Sequence, residues 1–75
     1  MYLNPKKAER YIICKSGKYL VGNPYDNLSA IRYSDSKYDG IRLKEFDTAL
    51  RMAKLVGGKV MRLNLLTGTL EGGWK

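Results

Sequence analysis

The sequence contains no histidine and only one cysteine, Cys14. Without histidine, the chain lacks the commonest general base and the commonest metal ligand. A single cysteine excludes a disulfide within the chain, and without histidine it also excludes an ordinary structural zinc site in a monomer. Cys14 has no histidine to activate it, and its place in an apolar strand indicates a core residue and not a nucleophile. We therefore expect a protein that is not an enzyme and that binds neither a metal nor a cofactor.

Long apolar runs are also missing. No stretch approaches the roughly 18 apolar residues that a membrane-spanning helix needs. The charged residues near the N-terminus are not followed by the apolar core of a signal peptide. Together with the shortage of cysteine, these features predict a cytoplasmic protein with no membrane partner.

The chain is short but has enough apolar residues to fold. It has 75 residues, of which 44% are hydrophobic, a share that is ordinary for a globular protein. Pro5 discourages a helix near the N-terminus, and two charged residues follow it. We predict a flexible arm over residues 1–9 and a single domain over residues 10–75.

The hydrophobic pattern predicts one helix among several strands. Apolar residues recur at helical spacing over residues 44–56, and no good N-cap residue stands at the start, so the helix could begin earlier, toward Asp39. Alternating or β-branched stretches predict strands over residues 10–15, 18–21, 30–34, 59–66 and 70–74. This order predicts an α+β fold, with a small antiparallel sheet of about four or five strands (β-β-β-α-β-β) packed against one helix.

The first two predicted strands form a hairpin around Ser16 and Gly17. Pairing Lys15 with Lys18 across the turn divides the side chains between two faces. One face is almost wholly apolar and is expected to be the core: Ile12, Cys14, Tyr19 and Val21. The other is a mixture of apolar and charged residues, and we predict that it binds protein: Tyr11, Ile13, Lys15, Lys18 and Leu20. Alternatively, the N-terminal arm or the C-terminal strand covers this second face.

The chain is strongly basic, with 14 Lys and Arg residues against 7 Asp and Glu, a net charge of +7. Such an excess predicts attraction to polyanions, although it also improves solubility. A nucleic-acid-binding module is therefore the alternative function, with Tyr11 stacking on bases and phosphates contacted by Lys6, Lys7, Arg10, Lys15, Lys18 and Arg32. A second candidate basic surface consists of Arg51, Lys54 and Arg62, of which Arg51 and Lys54 lie on the solvent side of the predicted helix.

Residues 10–63 resemble a known group of proteins. The resemblance lies in the Tyr-Ile-Ile hairpin that ends in Lys18-Tyr19-Leu20, in Tyr33-Ser34-Asp35, and in a helix that precedes a Gly-Gly-Lys-Val strand, here Leu43, Phe46, Ala49, Ala53 and residues 57–60. This pattern is similar to that of short uncharacterised proteins carried by phages and prophages of Gram-positive bacteria.

The resemblance implies a phage accessory protein that acts in the cytoplasm of the host cell. Such proteins commonly bind stoichiometrically to a host or defence macromolecule and inhibit it, CRISPR effector nucleases included. The partner would be a protein or a nucleoprotein, and an exposed edge strand would also be able to pair two copies of the chain. Because this chain is basic, mimicry of DNA is not expected.

Overall fold

The structure, a computed structural model, describes residues 8–75 apart from the side chain of Leu28. Within that range the predicted α+β class and the order β-β-β-α-β-β are confirmed. A short 3-10 helix, Leu28–Ala30, precedes the third strand, which is shorter than predicted. The elements are β1 (Glu9–Lys15), β2 (Lys18–Val21), β3 (Arg32–Ser34), α1 (Phe46–Val56), β4 (Lys59–Asn64) and β5 (Leu70–Trp74).

The strands of residues 8–75 form one antiparallel sheet in the order β3-β2-β1-β4-β5. β1 is the central strand and pairs with β4 from Glu9–Asn64 to Cys14–Lys59. Its consecutive residues Ile12 and Ile13 point to opposite faces, and both are fully buried. The sheet is therefore buried on both sides at its centre, which explains why β1 is apolar without clear alternation.

The helix α1 packs against β1 and β4 and buries Ala49, Met52, Ala53 and Val56. It begins at Phe46, two residues later than the predicted start at Lys44, because Glu45 has extended backbone angles and serves as the N-cap. It ends as predicted at Gly57, whose φ of 76° is left-handed and whose N–H donates to the Ala53 carbonyl.

The prediction of which hairpin face forms the main core was wrong. The helix covers the face that carries Ile13, Leu20 and Val60. The face expected to be the core lies on the opposite side of the sheet: Ile12, Cys14, Tyr19 and Val21. Alternation separates the two faces of a strand, but it cannot tell which face the helix covers when both are buried.

The hairpin turn has the predicted register, with Cys14 opposite Tyr19 and Lys15 opposite Lys18. The pairing described between β1 and β2 ends there. Farther from the turn, residues 41–43 bond to both strands: the Ile41 N–H donates to the Leu20 carbonyl at 2.9 Å, and Leu43 exchanges two hydrogen bonds with Tyr11 at 2.7 and 2.9 Å. The chain leading into α1 therefore replaces β2 as the partner of β1.

The predicted boundary at residue 10 is too late. Glu9 begins β1, and the Ala8 carbonyl accepts a hydrogen bond from the Leu65 N–H at 2.9 Å. Residues 8 and 9 thus belong to the sheet. The rest of the predicted arm, residues 1–7, lies outside the described residues. From residue 8 onward, no helix has the length and apolar character required to cross a membrane.

Candidate anion-binding groove

The patch predicted to bind protein is not a surface in this fold. Ile13 and Leu20 have no exposed area because α1 packs on them, and Tyr11 is half-buried. Lys15 and Lys18 remain exposed at the hairpin turn. The structure therefore corrects this prediction: its apolar members belong to the core and only its two lysines face solvent.

Tyr11 is held in an aromatic cluster and is not free to stack on a ligand as expected. Its ring packs edge-on against Phe46 and Trp74, with centroid distances of 5.4 and 6.5 Å. Phe46 and Trp74 are themselves 5.4 Å apart with perpendicular rings. Of these three residues, only Trp74 is classed as exposed, at 38%.

The six basic residues predicted to contact phosphates do not form one surface. Lys6 and Lys7 lie outside the described residues. Arg10 and Arg32 lie on the sheet face opposite Lys15 and Lys18, as the strand registers show. Arg10 donates to the Glu9 carbonyl at 2.7 Å, and the Lys18 ammonium lies 3.8 Å from Asp35. Of the four members that the structure describes, only Lys15 lies in a larger group of lysines.

That group lines an open groove of about 500 Å³ at one end of the sheet. Its four lysines come from four parts of the fold: the end of β1, the last turn of α1, the start of β4 and the residue after β5. None of the described residues lining the groove is acidic. We call it the lysine groove and define it by Lys15, Lys54, Lys59 and Lys75; its other lining residues are Cys14, Ser16, Ala53, Gly57 and Gly58.

The turn between α1 and β4 brings these lysines together. A Cβ atom at Gly58 would lie 2.8 Å from the Cys14 carbonyl oxygen and 3.1 Å from Ile13, so the turn rests directly on β1. The Lys15 ammonium lies 3.9 Å from the corresponding position at Gly57. The end of the helix is thereby placed beside the hairpin turn, where Lys54 and Lys15 both line the groove.

No acidic side chain among the described residues pairs with the lysines of the lysine groove. Within residues 8–75, none of the four lysines forms an ion pair; the ion pairs join Lys18 to Asp35, and Arg62 to Glu9 and Glu71. The negative end of the α1 dipole favours Lys54 in its last turn, and Lys15 lies 6.0 Å from the centroid of the Tyr33 ring. Neither of these two interactions stabilises the positive charges of Lys59 and Lys75.

The second predicted basic surface, formed by Arg51, Lys54 and Arg62, is not a single surface in the structure either. Arg62 is neutralised by carboxylates, and its hydrogen bond with Glu71 raises the pKa of the guanidinium above its ordinary value. Lys54 belongs to the lysine groove, whereas Arg51 is an exposed residue in the middle of the helix. Of the four lysines, sequence reasoning missed Lys59 and Lys75. One feature of the sequence points to this site: Lys54 and Lys59 stand close to Gly57-Gly58, one on each side.

A smaller cavity of about 220 Å³ lies at the other end of β1 and β4. Its two carboxylates, Glu9 and Glu71, already contact Arg62, which also lines it. In the described part of the chain, no three Cys, Asp or Glu side chains come together as metal ligands would. Among the described residues, the lysine groove is therefore the clearest cluster of charge without an acidic side chain, and its chemistry suits an anion.

Compared with known proteins, the chain matches no family model, no curated protein and no solved structure. The resemblance to phage accessory proteins therefore stays a prediction.

Proposed function

We propose that this protein is a non-enzymatic module that binds nucleic acid through the lysine groove. One observation carries the proposal: four lysines from separate elements line one groove whose described lining includes no acidic residue. Gathering like charges is unfavourable unless an anion balances them. A polyanion suits an open groove because several phosphates along one chain can contact several lysines at once.

The residue type indicates what is recognised. A lysine ammonium is a compact point charge on a flexible stem, and it lacks the planar fork with which arginine reads a guanine edge. Phosphate contacts position a protein on nucleic acid without reading sequence. We therefore expect binding with little sequence preference.

Binding of this kind depends steeply on salt. Each phosphate contact releases counterions, so four contacts to a single strand lower the affinity about 50-fold when the salt concentration rises from about 50 to 200 mM. The measurement is fluorescence anisotropy of a labelled oligonucleotide at several salt concentrations. A salt-independent affinity would contradict the proposal.

Two matched variants test whether binding depends on the lysine groove or on the overall charge of the protein. The groove variant carries Lys15→Gln, Lys54→Gln and Lys59→Gln. The control variant carries Arg42→Gln, Lys44→Gln and Arg51→Gln, three exposed residues that do not line the groove. Each variant removes three charges from the net +7 and leaves +4.

We expect the groove variant to bind at least about tenfold more weakly, with a salt slope shallower by about 2, because three phosphate contacts are lost. The control variant should retain most of the wild-type affinity. An equal loss in both variants would mean that total charge, and not the groove, drives binding.

The inhibitor of a host or defence protein expected from the resemblance stays a prediction. Ile13 and Leu20, the aliphatic part of its proposed contact patch, are buried. Pairing of two copies through an edge strand likewise stays a prediction.

A further inference from the structure

Trp74 is the single tryptophan of the sequence and stands beside the lysine groove. Lys75, the next residue, lines the groove. Across the sheet, Trp74 pairs with Val60, which follows the groove residue Lys59. The side chain of Lys59 also passes 3.8 Å from the Cβ position of Gly73. Trp74 thus adjoins Lys75 along the chain, and its cross-strand partner Val60 adjoins Lys59, while its indole lies on the helix face of the sheet with Phe46.

The indole is held firmly but is not buried. A Cβ atom at Gly72 would collide with the ring, so the indole rests on the backbone of β5 where glycine leaves room. Phe46 and Tyr11 support it edge-on. With 38% of the residue exposed, the ring presents an aromatic surface that loses little conformational entropy when another ring stacks on it.

We propose that the ligand of the lysine groove is single-stranded nucleic acid and that Trp74 is the platform on which one of its bases stacks. The inference rests on the proposed function. Positive charge that tracks the backbone, combined with an exposed aromatic ring, is the pairing by which proteins hold single strands without reading sequence. In a duplex, the bases are already stacked on one another and are not available to an indole.

The test compares ligands that differ only in having bases. Oligothymidylate of about 12 nucleotides, within the range of known site sizes, carries phosphates and bases. Inorganic polyphosphate of similar length carries the charge alone. Affinity for the labelled oligonucleotide is measured directly, and affinity for polyphosphate is measured by competition.

We expect Trp74→Leu to weaken binding of the single strand about fivefold or more, the lower end of what loss of one base–aromatic stack costs, and to leave polyphosphate affinity unchanged. Tyr25→Leu is the matched control, because Tyr25 is 56% exposed and does not line the groove. It should leave both affinities unchanged. In the wild type, the oligonucleotide should quench Trp74 fluorescence more strongly than polyphosphate does.

Trp74→Phe keeps an aromatic ring in the cluster and guards against a folding defect in the leucine variant. We expect it to lose less affinity than Trp74→Leu.

Unchanged binding of the single strand by both folded variants, while the groove variant still loses affinity, would overturn the stacking role and leave the proposed function standing. Failure of the wild type to bind either polyanion would overturn both. Binding of a duplex with equal affinity and equal dependence on Trp74 would overturn the preference for single strands.

Discussion

A single glycine connects the fold to the lysine groove. The pair Gly57-Gly58 was predicted from sequence to end the helix, and Gly57 does so with a left-handed φ. Gly58 has a different role that sequence could not show, because its neighbours Cys14 and Ile13 are more than forty positions away in the chain. The absence of a side chain there lets the turn lie on β1.

We predict that Gly58→Ala lowers the free energy of unfolding by about 1–3 kcal/mol, the usual cost of forcing an extra methyl group into packed structure. The added Cβ would sit 2.8 Å from the Cys14 carbonyl oxygen, and a backbone atom cannot move aside cheaply. Urea unfolding followed by Trp74 fluorescence measures the change.

Gly40→Ala is the control for this substitution. Gly40 is buried and, like Gly58, lies outside the left-handed region, but its added Cβ would meet Leu20 and Tyr19 at 3.4 Å, close to an ordinary contact. The loss should be clearly smaller than at Gly58. Equal stability of Gly58→Ala and the wild type would show that the turn does not rest on β1 in solution.

At the scale of the elements, the start of α1 is weakly capped. Glu45 occupies the N-cap position with extended backbone angles, but its side chain makes no capping hydrogen bond. Glutamate is one methylene longer than the aspartate that favours this position. The first N–H groups of the helix therefore lack a side-chain acceptor from the cap residue.

We predict that Glu45→Asp stabilises the protein by about 1 kcal/mol, because the shorter carboxylate can accept from the N–H two or three residues later. The melting temperature should rise by about 4–8 °C, the shift expected per kcal/mol for a domain of this size. Thermal unfolding followed by circular dichroism measures it. Glu45→Gln keeps the length and gains no cap, so a similar rise in that variant would rule out capping as the cause.

The elements also show how far a sequence can be interpreted. The strands, the helix and the hairpin register follow from periodicity and turn residues, which are local properties of the chain. Which face of the sheet forms the main core does not follow from such local properties. β1 carries Tyr-Ile-Ile-Cys in a central strand, where Ile12 and Ile13 are both fully buried, so alternation favours neither face. The main core is instead set by α1, which packs on the face of Ile13 and Leu20 although it lies far along the chain from β1 and β2.

For the whole molecule, the net charge of +7 predicted a polyanion as one candidate partner, but it did not locate the site. The lysine groove is assembled from four elements by pairing of β1 with β4 and by docking of α1. Of its lysines, only Lys15 was among the predicted phosphate contacts. Arg10 and Arg32, equally basic in sequence, lie on the opposite face of the sheet from Lys15.

The stability of the whole domain should respond to a ligand of the groove. A polyanion that binds only the folded state, present at about 100 times its dissociation constant, stabilises that state by about 2.7 kcal/mol. For a domain of this size the melting temperature then rises by about 10–20 °C. We predict such a rise for the wild type and the control variant on addition of polyphosphate at low salt.

The groove variant should gain no more than about 1.4 kcal/mol at the same ligand concentration, because binding at least about tenfold weaker leaves the ligand at no more than about 10 times its dissociation constant. High salt should abolish most of the rise in the wild type, since it competes with every phosphate contact. An equal rise in the groove and control variants would show that polyphosphate acts on the overall charge. In that case the four lysines would be part of a generally basic surface, and the groove would not be a distinct anion-binding site.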